Sequence, residues 1–114
     1  MKTMVDIFKA LSDETRLRIL AVVWQGEMCG CEIEQALNLT QSNTSRHLTV
    51  LKNAGLISGV KRAQWMYYSM NEYFCRDHAA LYEYLQARLK LLDSYKIDIE
   101  HINNCKYKDI CNCK

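Results

Sequence analysis

From Thr40 to Gly55 the chain reads as one helix with a stop at each end, and its faces do not match. Thr40 is a side-chain N-cap, and Gly55 stands where a helix-ending glycine belongs. Thr44, Leu48, Leu51 and Ala54 recur at helical spacing and form an apolar stripe. Ser42, Ser45, Arg46, Thr49 and Asn53 fall on the other faces and leave a polar surface without an acid. Two runs rich in β-formers follow, Leu56 to Val60 and Trp65 to Met70, flanking Lys61-Arg62-Ala63-Gln64. That spacing predicts a β-hairpin with a basic tip.

Upstream, Ser12 with Asp13 and Glu14 reads as an N-cap and an acidic first turn. Leu17, Ile19, Leu20, Val22 and Val23 then give a buried helix ending near Trp24, broken by Gly26. A short helix is expected over Cys31 to Leu37. Helix, helix, short turn, polar-faced helix and basic hairpin come in the order of a winged helix-turn-helix. The expected fold is therefore mainly α with a small β-hairpin wing. In that arrangement the polar helix enters the major groove of double-stranded DNA. It offers Gln41, Ser42, Thr44, Ser45, Arg46 and Thr49, with Ser45 and Arg46 expected to read bases. Lys61 and Arg62 are expected on the flanking phosphates.

Charge distribution supports this reading better than net charge, which is only +2. Between Glu34 and Glu72 no acid occurs, while Arg46, Lys52, Lys61 and Arg62 lie inside that window. A one-signed patch on a nearly neutral chain is the footprint of a phosphate-backbone binder. At 114 residues, 49% hydrophobic and 25% charged, the chain fits one folded domain over residues 1–95, and nothing in it reads as a second. Asn71 is expected to cap a last helix from about Glu72 to Tyr95. Its Leu81, Leu85, Leu89, Leu92, Tyr82 and Tyr84 suit either a homodimer seam or packing on the chain's own core. Residues 96–114 read as a cysteine-bearing C-terminal tail. A signal peptide and a membrane span are not expected, which points to a cytoplasmic protein. No Gly-rich phosphate loop or Ser/His/Asp set is present, and His47, His78 and His101 are scattered, so an enzyme is not expected.

Six cysteines remain. In a reducing compartment disulfides are rare, and two Cys-x-Cys pairs, Cys29/Cys31 and Cys111/Cys113, suit a shared metal or metalloid. Thiol-redox sensing by a low-pKa cysteine and a resolving partner is the alternative. Cys75 stands alone and reads as a small core residue.

The run Leu11-Ser12-Asp13-Glu14-Thr15-Arg16-Leu17-Arg18-Ile19-Leu20 resembles the opening of the arsenic-repressor (ArsR-type) family. So do Thr40-Gln41-Ser42-Asn43-Thr44-Ser45-Arg46-His47-Leu48, Leu51-Lys52-Asn53-Ala54-Gly55-Leu56 and Trp65-Met66-Tyr67-Tyr68, the last like the family's second wing strand. The resemblance implies a homodimeric repressor that leaves its operator when a toxic ion binds. It adds His47 to the residues expected at the DNA, with a packing role as the alternative. In the arsenic branch a Cys-x-Cys opens the helix before the recognition helix and a third cysteine follows. Cys29 and Cys31 match that pattern, but Glu34 stands where the third thiol would be. Cys105, Cys111 and Cys113 are the substitutes, completing the first site or forming their own. Thiolates favour soft ions, so the expected inducer is trivalent arsenic or antimony, with cadmium, lead or zinc as alternatives and no organic cofactor. Asp77 and His78 match part of the zinc-sensing pattern but lack a second histidine, and read as surface or seam residues. Residues two apart on a continuous helix point roughly 200° apart. Cys29 and Cys31 therefore share one atom only if they sit at a helix start or unwind it.

Overall fold

Helix α2 (Glu14–Val23) is the post around which the chain packs, with Ile19, Leu20, Ala21, Val22 and Val23 all buried. In this computed structural model residues 3–108 are described. Before α2 stands α1 (Met4–Leu11), and after it come β1 (Met28–Cys29), α3 (Gly30–Leu37) and α4 (Gln41–Asn53). Strands β2 (Ile57–Arg62) and β3 (Trp65–Met70) follow, then α5 (Glu72–Asp77), α6 (Ala79–Leu89) and α7 (Tyr95–Lys108). The strands form one antiparallel sheet in the order β1-β3-β2. Helices α3 and α4 with this sheet are a winged helix-turn-helix, as the sequence pattern predicts.

The ends of α4 are those expected. Thr40 Oγ1 accepts from the Asn43 N–H at 3.2 Å. Gly55 sits at φ 81°, while the Gly55 and Leu56 N–H groups close onto the Lys52 and Leu51 carbonyls at 3.0 Å each. That paired closure needs a left-handed residue, which glycine adopts without a Cβ penalty. Asn71 likewise caps α5, its Oδ1 accepting from the Tyr73 and Phe74 N–H groups at 2.8 and 3.3 Å.

Four expectations are corrected. Helix α1 is new, and it displaces the N-cap of α2 from Ser12 to Asp13. Asp13 Oδ1 accepts from the Arg16 N–H at 3.1 Å, whereas Ser12 Oγ donates back to the Lys9 carbonyl at 2.8 Å. The hairpin is longer than expected, for β2 runs on through Arg62 and leaves only Ala63 and Gln64 to turn, with Ala63 at φ 55°. The single helix expected from Glu72 breaks at His78 (φ −125°, ψ 49°) into α5 and α6. This re-aims the leucines. Leu85 and Leu89 are buried within the chain and Leu81, Tyr82 and Leu92 pack against the same core, so they are no open seam. Tyr84 alone of that set is well exposed.

The fourth correction concerns the tail. Residues 96–108 are part of α7, which lies along α3 and α2. Asp98 is buried and takes two bonds from the Arg18 guanidinium, both at 2.9 Å. The same guanidinium donates to the Leu37 carbonyl at 3.1 Å, and His101 Nδ1 donates to the Ala36 carbonyl at 2.8 Å. Ile102 completes the contact in the core. Cys105 falls on α7, while Cys111 and Cys113 lie outside the described residues.

Candidate nucleic-acid interface and thiol site

Helix α4 sorts its residues by burial. Leu48 and Leu51 enter the core, and Gln41, Ser42, Ser45, Arg46 and Thr49 are exposed on the outer faces. Arg46 is pre-set there, since its Nη2 donates to the Asn43 side chain at 3.1 Å. Two of the expected DNA residues face inward instead. Thr44 is 1% exposed and its hydroxyl donates to the Thr40 carbonyl at 2.8 Å. His47 is 5% exposed and its Nδ1 lies 3.2 Å from Arg16 Nη1. Neither side chain is presented to a groove. For His47 the packing alternative holds.

Arg16 explains why. Its Nε and Nη2 donate to the Ala10 and Lys9 carbonyls at 2.7 and 3.2 Å, so the guanidinium ties the end of α1 to α4 through His47. An arginine always donates, so His47 Nδ1 must accept and therefore stay unprotonated. Burial holds the imidazole below its ordinary value; Asp13 opposes this, and Arg46 and Arg16 reinforce it. A histidine held neutral in the folded state binds its proton more readily when unfolded. Stability should therefore be full above about pH 6.5 and fall as acid is added below it. One unit below that point the linkage is worth at most about 1.4 kcal/mol. In urea unfolding at pH 7.5 and 5.5, His47→Asn should shrink the difference, because asparagine keeps the acceptor and cannot titrate.

The wing supplies two cations by different means. Lys61 is exposed near the end of β2. Arg62 is exposed too, but its Nη1 and Nη2 meet Glu27 Oε1 and Oε2 at 2.6 and 2.9 Å, and its guanidinium lies 4.9 Å from the Tyr67 ring centre. Glu27 was missed in the sequence because it lies outside the acid-free window. Only the pairing of β1 with β3 brings it to the wing.

At the other end of β1 the Cys29/Cys31 pair sits at a helix start, as its geometry requires. Cys29 is the N-cap of α3: its Sγ accepts from the Cys31 N–H at 3.4 Å, and Glu32 Oε1 accepts from the Cys29 N–H at 2.8 Å. The two sulfur atoms are 2.9 Å apart. Two thiolates about 2.3 Å from one ion at tetrahedral angles stand roughly 3.8 Å apart, so the pair would have to spread a little to share one. Burial pushes the Cys29 thiol up, and Glu32 and Glu34 add to this while backbone N–H groups oppose it. Among the described residues no three histidine, cysteine, aspartate or glutamate side chains converge. The pair opens into a cleft of about 400 Å³ between α3, α4 and the wing. Ser45 and Leu48 of α4, with Trp65, Met66 and Tyr68 of β3, share its lining with the cysteines. Asp77 and His78 are exposed and Cys75 is half-buried.

The profile of the bacterial regulatory proteins of the arsR family matches residues 13–58. The arsenic resistance transcriptional regulator ArsR2 of Pseudomonas putida is 36% identical over 115 residues, covering 99% of this chain and 100% of that protein. A cadmium resistance regulatory protein CadC homolog of Staphylococcus aureus is 37% identical, over 58% of this chain and 55% of its own length. Among solved structures, the homodimeric winged helix-turn-helix DNA-binding domain of a possible ArsR-family regulator from Mycobacterium bovis aligns with a TM-score of 0.63. It is 26% identical, over 74% of this chain and 78% of that one. The relatives and the fold are those of DNA-binding regulators rather than enzymes.

Proposed function

The chain belongs to the arsR family of bacterial regulatory proteins, and on that premise we propose that it is an operator-binding repressor released by trivalent arsenic or antimony at cysteine thiolates. One observation carries the reading: Cys29 and Cys31 sit 2.9 Å apart at the start of α3 and open into a cleft walled by the recognition helix and the wing. Both expected DNA-contacting elements line the cleft into which the pair opens. The effect of a bound ion on the operator follows from a preference for the arrangement in which α4 and the wing no longer fit one groove.

Trivalent arsenic takes up to three bonds to sulfur, and the third thiol comes from Cys105, Cys111 or Cys113. The course of α7 supports this choice. Its Asp98 and His101 meet the end of α3 near Leu37 and Ala36, so α7 packs beside the helix that opens with the pair. The alternative is that the three C-terminal thiols form a separate site.

The protein acts as a homodimer. Exposed Met4, Val5 and Phe8 of α1, with Tyr73 of α5, supply an apolar face, and a short recognition helix needs a second half-site about one helical turn away. Gln41, Ser42, Ser45, Arg46 and Thr49 line the groove, and Lys61 and Arg62 meet phosphates.

Fluorescence anisotropy on a labelled operator tests the reading. Arsenite should release the protein at doses where cadmium, lead, zinc and peroxide do not; release by cadmium alone, or by peroxide alone, would hand the role to soft-metal or thiol-redox sensing. In the same assay Arg46→Ala should cost about 1–3 kcal/mol and relax sequence preference at one base pair, while Lys61→Gln should weaken all sequences alike.

A further inference from the structure

Arg62 is one of two exposed cations of the wing, yet it is not at liberty. Its fork is closed on the Glu27 carboxylate by two parallel bonds of 2.6 and 2.9 Å. The pair spans the sheet: Glu27 immediately precedes β1, Arg62 ends β2, and the Tyr67 ring of the central strand β3 lies beneath the guanidinium. Both partners are open to water, with side-chain exposures of 55% for Arg62 and 36% for Glu27. Exposed ion pairs are weak, so a phosphate arriving at the wing competes with Glu27 on nearly equal terms.

We propose that Glu27 is a positioning residue that holds Arg62 back from the DNA backbone and so sets the strength of the wing contact. This rests on the reading above that the wing lies against phosphates. Arginine recognises carboxylate and phosphate through the same planar fork, so it serves one partner at a time. While the latch is closed, the wing-tip charge is locally cancelled and its contribution falls mainly to Lys61. Once it is open, Arg62 neutralises one more phosphate and releases its counterion. The acid-free patch read from the sequence is thus trimmed by one residue that folding imports. Because Glu27 lies two residues from Cys29 on the same segment, the latch is also joined to the thiol pair through β1.

Operator affinity of the full chain as a function of salt tests this with Glu27→Gln, Arg62→Gln, their double variant and Lys61→Gln. Glu27→Gln removes an exposed charge, and its fold is checked by thermal unfolding. It should tighten binding about fivefold near 0.1 M salt and steepen the salt slope by about two, one for each wing of the dimer. In the Arg62→Gln background the same change should do nothing. If Glu27→Gln tightens binding equally in both backgrounds, the carboxylate merely repels DNA and the latch is overturned. No effect of Glu27→Gln while Lys61→Gln weakens binding also overturns it and leaves the wing reading intact. If none of the variants alters affinity or slope, the wing does not meet phosphates, and both fall.

Discussion

Changing Cys29 and Cys31 together to serine is expected to leave operator binding nearly unaltered and to raise the arsenite dose for release by about 100-fold, toward the top of the range for coupled sites. The separation is clean because serine is itself a good helix N-cap. The start of α3 should therefore survive the loss of the sulfur that now receives the Cys31 N–H. The companion variant ends the chain before Cys105 and keeps Asp98 and Ile102, the anchors of α7. Release of the shortened chain at the normal dose would show that the pair suffices. A normal response from the serine variant would place the sensor among Cys105, Cys111 and Cys113. Normal responses from both would end thiol sensing by either cluster. Anisotropy titrations on one operator fragment measure all three.

The second large effect is structural. Asp98→Ala should lower the free energy of unfolding by about 3 kcal/mol, because it leaves the Arg18 guanidinium partly buried without its carboxylate. Asp98 is the inner partner, its side chain 3% exposed against 23% for Arg18, and its two bonds hold the arginine firmly in its charged form. Loss of the pair also frees α7 from α2 and α3, so limited proteolysis should cut near residues 95–108 before the rest of the chain. Replacing both partners by apolar residues of similar size should recover much of the loss, since desolvated ion pairs bring little net stability over good packing. A urea midpoint within error of the parent for Asp98→Ala would mean that α7 is not part of the cooperative fold.

What could be read from sequence was whatever is written locally. Thr40, Gly55 and Asn71 announce helix ends by side-chain and backbone chemistry that acts over three or four residues, and all three stand where expected. Angular geometry required the Cys29/Cys31 pair to sit at a helix start or to unwind a helix if it is to share one atom, and the first of these holds. What failed depends on distant partners. Nothing near Asp98 says that a guanidinium 80 residues earlier will bury it and turn an apparent tail into a packed helix. His47 carries the polarity of a surface residue but is drawn inward by Arg16, 31 residues away. Thr44 was placed on both the apolar stripe and the DNA face, and burial decides for the first. Glu27 reaches Arg62 only across a sheet whose shortest strand is two residues long. That strand gives little sequence signal because two residues show no alternation.

Cys29 holds α3 with the same sulfur that an ion would take. A thiolate keeps lone pairs enough to accept that N–H and meet an ion together, so cap and ligand are not rivals for the sulfur. The same N–H favours negative charge on Cys29 against the burial and the nearby carboxylates that oppose it. The start of α3 thus offers a sulfur already partly prepared to act as a thiolate, and it can do so without giving up the helix end it holds.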